Sequence, residues 1–278
     1  MPNRLIAAAW VTLFALPAFG QDSINTTSSG GEFKGSAHFG SAPRAGTPVT
    51  GAPYSGERVS ETVQTLADGT HITGTTQPTK EYRDSLGRTR TERSMFRGPV
   101  EKPRNVPEAP TIIEITDPVA QVRYTLDTQN KVAHRQALAP LATPARRPHT
   151  ARATLSATSS GPATAADDAE RPKSTTEKLE PQTIEGVQAE GTRHTTTWPV
   201  GAQGNDRPIT MVTEDWWSPE LRVSMLNKTN DPRSGEHTEK LINVSRAEPD
   251  PSLFQPPADY TIVDEKEDFT IKWGASPQ

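Results

Sequence analysis

The chain has 278 residues, no Cys, 26 Pro, 19 Gly and a formal net charge of -4. Only 32% of its residues are hydrophobic, which excludes one large, fully packed domain and a polytopic membrane protein. The lack of Cys excludes disulfide staples and Cys–metal scaffolds, and the nearly balanced charge argues against a polyelectrolyte disordered throughout.

Arg4 gives a short positive region, and Leu5 to Leu16 is apolar apart from Thr12. Pro17 ends the run, and Ala18-Phe19-Gly20 places small residues at a cleavage position before Gln21. This order predicts a signal peptide over residues 1–20 and an exported chain, periplasmic or secreted. The run is too short to cross ~30 Å of hydrocarbon as a helix. No later segment is apolar enough to do so, and no transmembrane segment is expected after cleavage.

Residues 21–53 are rich in Gly, Ser and Thr with little aliphatic periodicity, and are expected to be a flexible arm. The pattern then turns to β. Arg58 to Leu66 and Thr70 to Thr76 flank Asp68-Gly69, a hairpin signal. Glu81 to Asp84 and Arg88 to Met95 flank Ser85-Leu86-Gly87. Thr111 to Asp117 and Lys131 to Gln136 read as strands on either side of Gln121 to Leu126, where Val122, Tyr124 and Leu126 alternate with polar residues.

Residues 138–176 are rich in Pro, Ala and Thr and are expected to be a disordered insertion. The small size of the flanking blocks, 54–137 and 177–263, favours a single β domain with an insertion. A division into two domains stays open. The second block offers strands at 179–184, 187–198, 209–217, 221–228, 237–246 and 260–263, with a Pro-punctuated cap at 248–257. An acidic tail, 264–278, is expected to be peripheral. No stretch keeps helical periodicity over three turns. The fold class expected is all-β: a curved antiparallel sheet of half-barrel type with long disordered segments.

Several segments carry a resemblance. They are Tyr82-Arg83-Asp84-Ser85-Leu86-Gly87-Arg88-Thr89-Arg90, Ile115-Thr116-Asp117-Pro118 and Tyr124-Thr125-Leu126-Asp127. Thr183-Ile184-Glu185-Gly186-Val187, Gly204-Asn205-Asp206-Arg207-Pro208-Ile209 and Glu214-Asp215-Trp216-Trp217-Ser218-Pro219-Glu220-Leu221 follow. Asp231-Pro232-Arg233-Ser234-Gly235-Glu236 and Glu248-Pro249-Asp250-Pro251-Ser252-Leu253-Phe254 complete them. The succession resembles a group of uncharacterised secreted bacterial proteins. More distantly it is similar to the lipoprotein-carrier superfamily of periplasmic half-barrels. That resemblance implies an open half-barrel of antiparallel strands able to hold acyl chains.

No nucleophile elbow, zinc-protease motif, P-loop or dinucleotide fingerprint occurs, and no catalytic residue, cofactor or metal is assigned. Glu214, Asp215 and Glu220 stand near Trp216 and Trp217, as a glycosidase would need. Glu214 and Asp215 are adjacent on a strand and must point to opposite faces. Glu190 with His194, and His237 with Glu239, share faces and could meet around a metal. Arg88 and Arg90 share a strand face that could hold phosphate or carboxylate groups, with Glu81, Asp84 and Glu92 close enough to neutralise it. Nucleic acid is not an expected partner at this charge. Trp216 and Trp217 must also point to opposite faces, leaving one free for a ligand.

The candidate ligand residues are therefore Tyr124, Trp198, Trp216, Trp217, Arg88 and Arg90. The function expected is non-enzymatic binding or scaffolding of a lipid, a lipoprotein or another envelope protein on an aromatic-lined concave face. Two alternatives stay open: an extracellular glycan hydrolase using Glu214 or Glu220, and a structural surface protein.

Overall fold

A computed structural model describes residues 23–29, 32–40, 46–95, 110–139 and 171–273. The expected signal peptide, and residues 140–170 of the expected insertion, lie outside the described residues. The described chain is built of strands, turns and a single 3₁₀ turn.

Strands β1 (Ser23–Ser29) and β2 (Glu32–Phe39) come first. The first block continues with β3 (Tyr54–Thr65), β4 (His71–Thr75), β5 (Thr79–Arg83) and β6 (Thr89–Ser94). It ends with β7 (Thr111–Asp117), β8 (Val122–Asp127) and β9 (Val132–Ala137). The second block opens with β10 (Lys173–Ile184), β11 (Val187–Trp198) and β12 (Ile209–Ser218). It continues with β13 (Val223–Asp231), β14 (Gly235–Ser245), the 3₁₀ turn Pro251–Phe254 and β15 (Thr261–Asp264). Last comes β16 (Phe269–Trp273).

One sheet holds thirteen of these strands, in the order β10-β11-β12-β13-β14-β3-β5-β6-β7-β8-β9-β15, with β4 added to β3. It is curved and does not close into a barrel. Its pairs are antiparallel except β15, which runs parallel to β9. The two blocks join where β14 pairs with β3, from Glu236↔Val63 to Ser245↔Ser55. Tight turns follow from local chemistry: at the β3–β4 turn the Thr70 amide donates to the Asp68 carboxylate at 2.9 Å.

Strands β1, β2 and β16 form a second, three-stranded sheet. Residues expected as a flexible arm and a peripheral tail thus supply ordered strands. The physical reason is a long-range pairing: Phe269↔Phe39 and Ile271↔Ala37 join opposite ends of the chain. Phe39, Phe269, Ile271 and Trp273 then pack with Met95, the residue after β6, and with Ile112 of β7. β10 likewise begins inside the segment expected as insertion, because Lys173 to Thr176 pair with Thr197 to His194.

Two further clusters fill the large sheet's apolar surfaces. Ile113, Ile115, Leu126 and Ala133 pack under Phe254 of the 3₁₀ turn. Tyr54 and Leu241 meet Ile184, Val187, Ala189, Trp216, Leu221 and Met225. Large aromatic and aliphatic side chains removed from water supply most of the stabilisation of a chain this polar.

Candidate functional site

Strands β10 to β14 form regular cross-strand rows, because partners in register share a face. On one face Trp216 lies opposite Gly191 of β11 and Leu226 of β13. Glu214 follows on that face and accepts from Arg193 Nε at 2.9 Å, while Arg193 Nη1 reaches Glu177 at 3.2 Å. On the opposite face Trp217 lies between Glu190 of β11 and Ser224 of β13. Next to it in β12, Asp215 lies between Thr192 and Asn227.

Beyond Asp215 runs a row of hydroxyls and imidazoles: Thr176, His194, Thr213, Thr229, His237 and Thr62. Neighbours in it bond in pairs, Thr176 with His194 at 3.0 Å, Thr213 with Thr229 at 3.3 Å and Thr62 with His237 at 3.3 Å.

The two adjacent tryptophans have different fates. Trp216 is 9% exposed and belongs to the core, whereas Trp217 is 45% exposed. A register shift in β13 separates their partners, with Leu226 facing Trp216 and Ser224 facing Trp217. Bulges re-aim side chains in this way. Asp215 is oriented by Ser224 Oγ, which donates to its Oδ1 at 2.8 Å. The Glu190 side chain makes no ion pair or hydrogen bond among the described residues.

A charged group from β3 and β5 adjoins this surface. Arg58 Nε donates to Glu81 Oε1 at 2.6 Å and its Nη2 to Glu81 Oε2 at 3.0 Å. Its Nη1 lies 3.4 Å from Glu239 and 3.3 Å from the Ser224 carbonyl oxygen. Burial pulls the Arg58 guanidinium down, but bonding to Glu81 carries it above its ordinary value. Tyr54 also donates to Glu81, at 3.1 Å. Burial first, and the Glu81 charge second, push its hydroxyl far above the usual tyrosine range.

The other sequence candidates do not join Trp217. Trp198 shares its face but sits at the far end of β11, roughly 26 Å from Glu190 at ~3.3 Å per residue. Its ring is occupied by the Arg233 guanidinium, 4.7 Å from the centroid, and Arg233 is gripped by Asp231 at 2.6 Å. Tyr124 packs against the cluster under Phe254. Arg88 donates to Asp84 at 2.5 Å and covers the Phe254 ring at 5.1 Å. Arg90 donates to Glu92 at 2.7 Å and to the Leu253 carbonyl at 2.9 Å. Both arginines are tied to the sheet and its cap, with acidic partners that lie in the same hairpin.

The carboxylates named for hydrolysis are engaged as well: Glu214 by Arg193, and Glu220 by Arg246 at 3.3 Å. His194 and His237 share a face but stand three strands apart, ~14 Å at the usual strand spacing. Among the described residues no group of three or more His, Asp or Glu is placed to hold a metal. No helix among them is long and apolar enough to cross a membrane.

Sequence reasoning singles out Trp217 but not its surroundings. Glu190 enters it only as one of a metal pair, Glu81 only as a neutraliser of Arg88 and Arg90 where the structure pairs it with Arg58, and Arg58 and Ser224 not as site residues at all. Strand parity is readable from the sequence, but the register that sets Glu190 beside Trp217 is a long-range property.

No family model matches this chain, and no curated protein matches it. Several solved structures are similar. A conserved uncharacterised protein from Thermus thermophilus is 9% identical with TM-score 0.35, over 77% of this chain and 91% of that one. A LolA superfamily protein from Nitrosomonas europaea is 9% identical with TM-score 0.26, over 75% and 92%. A DUF1329 family protein from Desulfovibrio piger is 9% identical with TM-score 0.19, over 74% and 90%. A LolA superfamily protein thus stands among the solved structures to which this chain is similar.

Proposed function

We propose that this chain is an exported, non-enzymatic binding protein whose recognition surface is the polar sheet face around Trp217, and whose partner is another envelope protein. The observation that carries this reading is the 45% exposure of Trp217 on a rigid strand, beside the unengaged carboxylate of Glu190. Exposed indoles on ordered strands are the type of group that anchors interfaces. The other aromatic and arginine candidates are occupied by the protein's own groups. An acyl chain finds less support, because the apolar residues of β10 to β13 pack on one another with Tyr54 and Leu241.

Site-directed photo-crosslinking in the native host tests the reading. A photoreactive residue at Thr192, beside Trp217, is expected to trap a discrete partner, and one at Thr270 in β16 is not. Trp217→Ala in the Thr192 background is expected to abolish the adduct. Adducts that survive Trp217→Ala, or no adduct from Thr192, would overturn the assignment of this face.

A further inference from the structure

We infer that the Trp217 face receives a basic polypeptide segment, one bearing several Lys or Arg side chains, with Trp217 as a cation–π platform and Glu190 and Asp215 as its anionic flanks. This rests on the function proposed above and names the chemistry of its partner.

Charge complementarity carries the inference. Two carboxylates on this face flank the indole, Glu190 across from it and Asp215 along its strand, and two more, Glu239 and Glu81, lie two and four strands away from β12. Arg58 absorbs two of them, Glu81 at 2.6 Å and Glu239 at 3.4 Å. Glu190 is left without a partner among the described residues. Asp215 receives only neutral donors, Ser224 at 2.8 Å and Asn227 at 3.5 Å, both on Oδ1. Its charge is therefore oriented but not compensated. Lys178, in the Asp215 row, is separated from it by β11, and the exposed Arg222 stands in the turn before β13, so neither cation is paired with Glu190 or Asp215.

An indole face attracts a cation through its ring quadrupole, and flanking carboxylates strengthen the pairing. Glu190 lies directly across from Trp217, and Asp215 lies two residues along β12 from it. The anionic positions are thus spread along and across strands. Side chains on one side of an extended peptide recur every ~6.6–7 Å, the same repeat that separates Trp217 from Asp215. An array of that pitch suits successive cationic side chains of one chain better than a single small cation.

Titration of the full mature chain by isothermal calorimetry and tryptophan fluorescence tests the inference. The probes are an alternating Lys-Ser dodecapeptide, its Glu-Ser counterpart and phosphatidylcholine vesicles. The Lys-Ser peptide is expected to bind and the Glu-Ser peptide is not. Trp217→Ala is expected to weaken binding about ten-fold, and Glu190→Gln with Asp215→Asn by a similar factor. Raising salt from about 0.05 to about 0.5 M is expected to weaken it further.

Equal binding of the two peptides, or full binding by the Glu190→Gln/Asp215→Asn variant, would overturn the inference. Trp217-dependent binding of the vesicles alone would overturn it in favour of a lipid headgroup. If the Thr192 adduct still depends on Trp217 while the Lys-Ser peptide fails, only the basic chemistry falls. If both fail, the face is not the recognition surface.

Discussion

Gly191 and Trp216 meet face to face across β11 and β12, so closely that a Cβ on residue 191 would lie 2.5 Å from the indole Cζ3. The glycine is a seat for the ring, and it lets Trp216 lie flat over β11 within the core. Gly191→Ala must push the indole out of its packing. It is expected to cost about 1–3 kcal/mol as an overpacked site, read as a lowered midpoint in urea unfolding with an unchanged slope.

Arg83 is a buried cation whose guanidinium donates to backbone carbonyls. Its Nε donates to the Ala52 carbonyl at 2.9 Å, its Nη2 donates to the Leu221 carbonyl, and its guanidinium stacks on Tyr54 at 4.7 Å. Burial lowers its pKa from the ordinary arginine value. The planar fork ties the segment before β3 to the turn before β13. Arg83→Lys keeps the charge but cannot reach both carbonyls in that geometry. Both Arg83→Lys and Arg83→Met are expected to destabilise, by about 2–4 kcal/mol for the Met variant. A Lys variant as stable as the parent in thermal melting would show that charge alone matters here.

Stability is expected to fall at both ends of the pH range. On the acid side, the Ser85 hydroxyl and amide hold Glu248 below its ordinary 4.5, and Arg233 holds Asp231 below 3.8. Folded-state values below the unfolded ones mean stabilisation present above about pH 4.5 and lost as pH falls through the depressed values. On the alkaline side, burial raises Tyr54 above its ordinary 10.0. That contribution is complete below about pH 10 and is lost as pH rises beyond it, since only the unfolded chain ionises readily. Melting temperatures from about pH 3 to about pH 11 should show both declines. Tyr54→Phe should flatten the alkaline one and Glu248→Gln the acid one.

The two adjacent tryptophans should separate folding from binding. Trp216→Ala empties a core position and is expected to cost about 3–5 kcal/mol. Trp217→Ala removes an exposed ring and is expected to change stability by no more than about 0.5 kcal/mol. Equal losses in chemical denaturation would mean that Trp217 is structural.

Much of this arrangement is legible in local sequence. Alternation in Val122, Tyr124 and Leu126 marks β8, and the adjacency of Trp216 and Trp217 puts one ring on each face. Asp84 and Glu92 stand close enough in the chain to foretell the neutralisation of Arg88 and Arg90. What escapes is what pairs at long range. Phe269, Ile271 and Trp273 alternate as a half-buried strand should, but their partners are in β2, at the other end of the chain. The Trp217 neighbourhood is hidden for the same reason: Glu190, Ser224 and Arg58 converge only once β11, β13 and β3 are in register.

The seam between β14 and β3 sets a timetable for folding. One edge of β3 must wait for residues 235–245, roughly 170 positions downstream, and at ~5–20 residues per second synthesis of that stretch takes of order ten seconds or more. The small sheet waits longer still, because β2 needs β16. Closing such distant pairings is slow by nature. Until its last strands have been made, the chain is without its completed sheets.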